Sequence, residues 1–204
     1  MTAISVLEDD IHSYGIHLQS NDWEAIRSRL FEFSFNKKNV FFSEAFVCDK
    51  IFFITDGIAA SEQILEEGVS PITRFFSKGQ FCSNITSALM QEYSNDTLIA
   101  VTDISCVSMP MDFFLKEYFK GKSFGEYLRK KVLETLLFDK EVMCAKTLLS
   151  TEYRYQFLEK CQQDVVRRVS DKDIARFIGI TPQGFCRFLK NKSKNKDKTL
   201  FMNS

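Results

Sequence analysis

Residues Ser170–Lys190 read SDKDIARFIGITPQGFCRFLK, a stretch that predicts two short helices joined by a tight turn. Ser170 is a favourable N-cap for the first helix, and Gly179 permits the left-handed backbone that ends it. Thr181 then suits the N-cap of the second helix, and Pro182 suits its first position. The stretch therefore predicts a helix-turn-helix.

The second of these helices is predicted to bury one face and expose the other. Phe185, Phe188 and Leu189 share the face that must pack on the first helix. The outer face carries one polar stripe: Gln183, Cys186, Arg187 and Lys190. Because recognition helices present N-terminal side chains to base edges in the major groove, transcription regulation is the leading hypothesis.

Side-chain chemistry indicates how DNA would be contacted. Arg can bind guanine, and Gln can bind adenine, through two hydrogen bonds, so we expect Arg187 and Gln183 to read bases. Thr181 and Lys190 are expected to contact phosphates, and Cys186 to set the fit. The alternative is an ordinary helical hairpin whose polar face is simply solvated.

Composition bounds the class of protein. The 204 residues allow one large or two modest domains, and 45% hydrophobic with 26% charged residues is typical of a soluble globular protein. No apolar run is long enough to span a bilayer, and the N-terminus carries acids where a signal peptide needs bases. We therefore expect a cytoplasmic protein with no membrane partner.

Motifs that carry chemistry are few. The six cysteines include no Cys-x-x-Cys pair, so neither a zinc site nor a disulfide framework is encoded locally. No phosphate-binding glycine loop or Gly-x-Ser-x-Gly turn occurs, and only two histidines are present. We predict no catalytic residues, metal or cofactor, and an enzyme is the weakest functional hypothesis.

Charge is divided unevenly along a chain whose net charge is zero. Residues 151–204 contain 12 Lys and Arg against 6 Asp and Glu, whereas residues 1–150 contain 15 against 21. A positive C-terminal part suits contact with phosphates. Chance clustering in the lysine-rich tail is the alternative.

Residues 1–110 read as antiparallel β-structure. Short apolar runs recur between turn signals such as Asp56-Gly57 and Lys78-Gly79. Strands are predicted at Val40–Phe42, Ile51–Ile54, Phe75–Phe76 and Leu98–Val101. A helical pattern occurs only near Asp22–Phe33 and Ser83–Tyr93, so a sandwich or roll is favoured over a parallel sheet.

A long helix is predicted after Pro110, with a break near Gly121, a restart at Ser123 and an end at about Leu149. One stripe along it is apolar: Leu128, Val132, Leu136 and Met143. Dimerisation through this stripe is the functional interpretation, and a symmetric dimer would match a palindromic DNA site. The alternative is that the stripe packs only on the β-structure of its own chain.

The order of β-roll, long helix and helix-turn-helix resembles the Crp/Fnr superfamily of transcription regulators. Arg154–Leu158 and Val169–Pro182, with Arg187 after them, look like that family's DNA-binding domain. Ile51–Gly57 and Phe75–Phe81 are similar to strands and turns of its cyclic-nucleotide-binding fold.

The resemblance implies an α+β fold in three units. Residues 1–110 would form an effector-sensing antiparallel β-roll, a jelly roll of the cyclic-nucleotide-binding kind. Residues 111–150 would connect and dimerise, and residues 151–204 would form the helix-turn-helix DNA-binding domain. Only residues 191–204 follow the recognition helix, so the family's β-hairpin wing is expected to be reduced or absent. The implied partners are double-stranded DNA and a second copy of the chain.

The resemblance also implies an effector pocket, where this sequence departs from the family pattern. The family carries Phe-x-Gly-Glu and then an Arg-Ser or Arg-Thr pair, which hold the ribose and the cyclic phosphate. The corresponding residues here are Phe81, Ser83, Asn84, Asn95 and Asp96. An aspartate beside a buried phosphate would repel it, so cyclic AMP is not expected to bind in the usual manner.

The residues that would hold the other sensor groups of that family, an iron–sulfur cluster or haem, are also missing from this sequence. An iron–sulfur cluster needs several close cysteines, and none precedes Cys48. Haem would need an axial histidine, whereas His12 and His17 both precede the roll. A small apolar or anionic effector, a redox-responsive cysteine and no ligand at all remain open.

A second functional hypothesis is a ligand- or protein-binding module whose degenerate helix-turn-helix no longer binds specific DNA. Gly184 favours it, because a glycine inside a helix lowers helix stability by about 1 kcal/mol. Selection from random duplex DNA distinguishes the two hypotheses.

Overall fold

The computed structural model describes residues 2–43, 45–63, 65, 70–94, 96–120, 123–148 and 150–201. Its helices are α1 (Ala3–Ser13), α2 (Ser20–Arg27), α3 (Ile85–Met90), α4 (Met111–Phe119), α5 (Ser123–Leu148), α6 (Thr151–Cys161), α7 (Gln163–Arg168), α8 (Asp171–Ile178) and α9 (Pro182–Phe201). Its strands are β1 (Phe31–Phe35), β2 (Val40–Phe42), β3 (Lys50–Asp56), β4 (Ala59–Gln63), β5 (Ile72–Phe76), β6 (Phe81–Cys82), β7 (Asp96–Ala100) and β8 (Ile104–Pro110).

The strands form two four-stranded sheets with the orders β1-β8-β3-β6 and β2-β7-β4-β5. Every pairing within them is antiparallel. The predicted α+β fold is confirmed: an antiparallel roll is followed by a long helix and a helical C-terminal part. In the part of the chain described above, no helix has both the length and the apolar character needed to cross a membrane.

The turn predicted at Asp56-Gly57 depends on its glycine. Gly57 joins β3 to β4 with φ of 89°. A Cβ atom at this position would collide with the backbone carbonyl of Asp103. No other residue type fits a left-handed position so close to a neighbouring chain segment.

The prediction of a helix through Phe33 is wrong beyond Arg27. Helix α2 ends there, and Phe31–Phe35 forms β1, paired antiparallel with β8. Its sequence, FEFSF, alternates aromatic and polar residues with the period of two that a strand requires. Helix α1 was not predicted at all, although Leu7 and Ile11, four residues apart, are its buried residues.

Two hydrophobic cores stabilise the described chain. The first lies within the roll and is closed by α1, α4 and the start of α5. The second combines β4 and β5 with residues of the C-terminal helices. The second core therefore joins the helix-turn-helix to the roll.

Contacts across this junction are specific. The rings of Phe75 on β5 and Phe177 on α8 lie 5.2 Å apart. The Gln162 side chain donates a hydrogen bond to the carbonyl of Phe75 at 3.2 Å. Arg176 pairs with Glu62, and its Nε donates to the Ser70 carbonyl at 2.7 Å. The C-terminal helices therefore pack directly on β5.

The predicted helix-turn-helix is confirmed, with its caps. The Ser170 hydroxyl accepts a hydrogen bond from the amide of Asp173 at 3.2 Å, which caps α8. Gly179 ends α8 with φ of 81°. The Thr181 hydroxyl accepts from the amide of Gly184 at 3.1 Å at the start of α9. Helix α9 continues to Phe201.

Candidate functional site

The outer face of α9 carries the five predicted DNA contacts. Thr181, Gln183, Cys186, Arg187 and Lys190 are all exposed. The last four of them line one shallow surface concavity together with Pro182. The stripe predicted from residue spacing is therefore continuous and open to a partner.

The opposite face of α9 fixes how this stripe points. Phe185 is fully buried, and its ring centroid lies 5.6 Å from that of Tyr155 on α6. Phe188 and Leu189 are partly buried against the same core. Lys192 turns away from the stripe, because its ammonium pairs with Glu159 and lies 4.3 Å from the Tyr155 ring centre. Rotation of α9 would expose Phe185, so the stripe stays outward.

Gly184 has a local structural role. It lies in the first turn of α9, and a Cβ atom there would approach the Thr181 hydroxyl to 3.1 Å. The glycine leaves room for the N-cap, and this first-turn position lies outside the helix interior where glycine is most costly. It therefore does not indicate a degenerate helix.

A cavity of about 830 Å³ lies between the roll and the helices α4 and α5. Its lining includes four of the five residues predicted for the effector pocket: Phe81, Ser83, Asn84 and Asp96. The fifth, Asn95, lies outside the described residues. The volume is in the range of small-molecule sites, which is roughly 300–1,000 Å³.

The polar groups near the predicted phosphate position bind one another. Asn84 caps α3 by accepting from the amide of Ser87 at 2.8 Å, and its amide nitrogen lies 3.5 Å from a carboxylate oxygen of Asp96. Ser83 donates to the carbonyl of Lys50 at 2.9 Å. Burial raises the pKa of Asp96. This end of the cavity contains an acid where a phosphate would need a cation.

The cavity has a cationic wall that the sequence analysis missed. Arg74, on β5, is buried and forms an ion pair with Asp139 on α5. Its Cζ lies 4.5 Å from the ring centre of Phe76 and 5.3 Å from that of Phe138. Its Nε and Nη2 have no hydrogen-bond partner within the described chain. Two of its three guanidinium nitrogens are therefore unsatisfied.

Lys146 lies on the same face of α5, seven residues after Asp139. Its ammonium donates to the carbonyl of Ile72 at 2.7 Å and lies 4.8 Å from the ring centre of Phe177. Burial lowers the pKa of Lys146 from 10.5 to about 8, and the charge of Arg154 acts in the same direction. A second cation in this wall is thus poorly stabilised by the protein.

The lowered pKa of Lys146 predicts a pH-dependent stability. The unfolded chain binds more protons than the folded protein between pH 8 and 10.5, so stability rises with pH in that window. We expect the unfolding free energy of wild type, relative to Lys146→Met, to increase between about pH 7.5 and about pH 9.5. Urea unfolding of both proteins at each pH checks this. A difference in unfolding free energy that stays constant with pH would show that the pKa of Lys146 is not lowered in the folded protein.

The stripe predicted for dimerisation divides between two environments. Leu128 is 0% exposed in the roll core, so it is not accessible to a partner and its assignment is corrected. Val132 is partly buried against the same core. Leu136 and Met143 are 64% and 60% exposed. The roll covers the face that Leu128 occupies, and the exposed face lies beside it.

Two further leucines complete that exposed face, Leu133 and Leu137, which are 57% and 58% exposed. Together with Leu136 and Met143 they form the exposed α5 face. Their spacing of three, four and seven residues places all of them on one side of the helix. The four side chains therefore form one contiguous apolar surface, a feature typical of interaction sites.

The two histidines and two of the buried cysteines lie in environments unsuited to a sensor. His12 and His17 are exposed, and neither lines the cavity. Burial raises the pKa of the Cys82 thiol well above its usual value and that of Cys106 to about 12. Buried protonated thiols react slowly, so these two cysteines are poor redox sensors.

Known proteins share features of this sequence and fold. Residues 32–120 match the cyclic nucleotide-binding domain family. No curated protein sequence matches the chain significantly. FixK2 from Bradyrhizobium japonicum is 16% identical with a TM-score of 0.65, over 82% of this chain and 86% of that chain. A transcriptional regulator described as of the Crp/Fnr family, from Eubacterium rectale, is 13% identical with a TM-score of 0.64, over 87% and 85%.

The chain has the Crp/Fnr fold. CLP from Xanthomonas campestris, described as a c-di-GMP-responsive global regulator, is also similar, with 13% identity and a TM-score of 0.66 over 87% of this chain and 93% of that chain. Within the Crp/Fnr fold, the segment that matches the cyclic nucleotide-binding family runs from β1 to α4 and includes the roll side of the cavity.

Proposed function

We propose that this chain is a DNA-binding transcriptional regulator. The observation that carries the proposal is the exposed stripe of Gln183, Cys186, Arg187 and Lys190 on α9, the second helix of a helix-turn-helix in which α8 is capped at both ends and α9 at its N-terminus. A solvated hairpin would need no such outward Arg and Gln pair at recognition spacing. The fold shared with Crp/Fnr regulators, which are not enzymes, supports the same function.

Each residue of the stripe has a distinct role in this proposal. Arg187 pairs with guanine and Gln183 with adenine on the major-groove edges. Thr181 and Lys190, at the edges of the stripe, contact phosphates, which positions the helix without reading sequence. Cys186 lies between the two readers and sets how closely the helix approaches the bases.

The active form in this proposal is a homodimer on an inverted repeat. Its interface is the exposed α5 face, because burial of these side chains on a second copy removes a large apolar surface from water. Three functional units are supported by the element boundaries: β8 ends at Pro110, and α6 begins at Thr151. They are the roll at 1–110, the dimer helix at 111–150 and the DNA-binding domain at 151–204.

The roll in this proposal senses an effector other than cyclic AMP bound in the usual manner. Asp96 supports this, because its carboxylate occupies the end of the cavity where the cyclic phosphate would be held. Strand β5 connects the cavity to the proposed DNA-binding helices, because Arg74 and Phe75 are neighbours on this strand. Arg74 lines the cavity, whereas the Phe75 ring packs on Phe177 of α8.

Selection from random duplex DNA with the purified full chain tests the proposal. An enriched inverted repeat, with half-sites spaced by about one helical turn, is the expected result. Repeating the selection at two salt concentrations separates base reading from phosphate attraction, because only the latter weakens steeply with salt. Absence of any enriched sequence would favour the protein-binding module and reject the regulator.

Arg187→Ala is expected to weaken binding to the selected duplex by about 1–3 kcal/mol and to relax preference at one base position per half-site. The lost bidentate contact to guanine causes both effects. Fluorescence anisotropy with a panel of single-base variants measures them.

Arg167→Ala is the matched control for that variant. Arg167 is exposed on α7 and lies outside the stripe, so the substitution removes the same charge without removing a base reader. We expect it to retain the base preference. Equal loss of preference in both variants would contradict the assignment of Arg187.

A further inference from the structure

The cavity between the roll and α5 is largely apolar. Aromatic and aliphatic side chains contribute most of its wall: Phe76, Phe81, Phe114, Leu115, Tyr118 and Val132. Such a lining favours an occupant with a hydrocarbon or aromatic body, because apolar surface gains by leaving water. The polar groups of the wall then decide what else the occupant carries.

Arg74 is the polar group that the protein leaves unsatisfied. Its side chain is 9% exposed, and its Nε and Nη2 have no partner within the described residues. Buried guanidinium N–H groups normally find an acceptor, since an unmade hydrogen bond to a buried charge is costly. The guanidinium lies between β5 and α5, because Arg74 belongs to one and its partner Asp139 to the other.

The charges around this position leave an excess of cations. Lys146 contacts carbonyl groups of β5 and has its pKa lowered by burial, as a cation without a close anion does. Asp139 is the acid of this wall, and its side chain is 47% exposed. Lys131, also in the lining, is already paired with Asp10 at 3.0 Å. Arg74 therefore has the half-exposed Asp139 as its ion-pair partner, whereas Lys146 contacts carbonyl groups and the Phe177 ring.

We infer that the cavity binds a small molecule with an apolar or aromatic body and one acidic group, and that the guanidinium of Arg74 binds this group. A carboxylate or sulfonate matches the fork of a guanidinium and accepts two hydrogen bonds from it. The site differs from a cyclic-phosphate clamp, because Asp96 stands at that position and the cation is on β5. The inference deepens the proposed function by naming the effector class, and its binding does not require DNA.

The acidic group would also change how α5 is held. In the structure, Arg74 holds α5 on β5 through Asp139. A bound anion places a second negative charge beside Asp139, and the two acids repel each other, so ligand binding weakens this link between the roll and the dimer helix. An effector of this class thereby acts on α5 through one ion pair.

Titration with two fluorescent probes of similar shape tests the site in the full chain without DNA. Anilinonaphthalene sulfonate carries an aromatic body and one acid, whereas N-phenylnaphthylamine carries the aromatic body alone. We expect wild type to bind both. Arg74→Met is expected to raise the dissociation constant of the sulfonate by about 10- to 100-fold and to leave that of the amine unchanged.

Two further variants complete the design. Arg29→Met removes an exposed arginine outside the cavity and is expected to leave the dissociation constants of both probes unchanged. Asp139→Asn removes the acid beside Arg74 and is expected to lower the dissociation constant of the sulfonate by about 3- to 10-fold. This variant tests the inference if Arg74→Met does not fold. Circular dichroism establishes folding of each protein.

The inference is overturned if folded Arg74→Met binds the sulfonate as wild type does, or loses both probes equally. It is also overturned if wild type binds neither probe, or if Asp139→Asn raises the dissociation constant of the sulfonate. None of these outcomes bears on whether random-duplex selection enriches a site, so failure of the ligand class and failure of the regulator function are distinguishable.

Discussion

Leu136→Glu is expected to convert the protein from a dimer to a monomer and to lower its affinity for the inverted repeat by about 10²- to 10⁴-fold. Leu136 is 64% exposed at the centre of the exposed α5 face, so glutamate there places a charge in the proposed interface without disturbing the roll core. The loss in affinity follows because a monomer engages one half-site at a time. Sedimentation velocity and duplex titration measure the two effects.

Asn21→Glu serves as the control for added negative charge. Asn21 is exposed on α2 and does not belong to the exposed α5 face. We expect this variant to remain dimeric and to bind the repeat like wild type. A dimeric Leu136→Glu protein would place the interface elsewhere, and a wild-type protein that is monomeric on the repeat would remove the dimer from the account.

Phe177→Ala is expected to lower the free energy of unfolding by about 3–5 kcal/mol. Phe177 is 1% exposed, its ring lies at a tilt 5.2 Å from that of Phe75 on β5, and the ammonium of Lys146 lies over it. Its removal leaves a cavity where the helix-turn-helix meets the roll, and the surrounding elements are too rigid to refill it. Urea unfolding monitored by circular dichroism gives the change.

Phe31→Ala is the control, because it makes the same substitution at an exposed position. Phe31 is 53% exposed on the edge strand β1, so its loss is expected to cost less than about 1 kcal/mol. Similar small losses for both variants would mean that the junction between β5 and α8 does not stabilise the folded chain.

The helix-turn-helix was predictable because its signals are local. Ser170, Gly179 and Thr181 each specify a cap or turn through their own side chain or backbone, and the structure places all three as predicted. The outward stripe of α9 followed from the spacing of the phenylalanines that pack on α8. Neither inference required knowledge of distant contacts.

The environment of α5 was not predictable in the same way. Its apolar residues occupy almost the whole circumference, so spacing alone does not show which side the roll covers. Leu128 is buried and Leu136 is exposed although both belong to the predicted stripe. The side is decided by where the roll packs, a tertiary effect that overrides the local pattern.

Arg74 illustrates a signal that was present and not used. This arginine directly precedes the predicted strand Phe75–Phe76, and the strand that forms, β5, buries side chains on both faces. A charge in such a strand is costly and therefore marks a site when it is kept. Its partner Asp139 lies 65 residues later and could not be assigned from the sequence.

Parallel selections from one random duplex pool, with wild type and with the Gln183→Ala, Arg187→Ala double variant, test the central claim most directly. Both side chains are exposed, so the double variant should fold and dimerise like wild type. We predict that wild type enriches one inverted repeat and that the double variant loses it. Enrichment of the same repeat by both proteins would contradict the assignment of base reading to this face of α9.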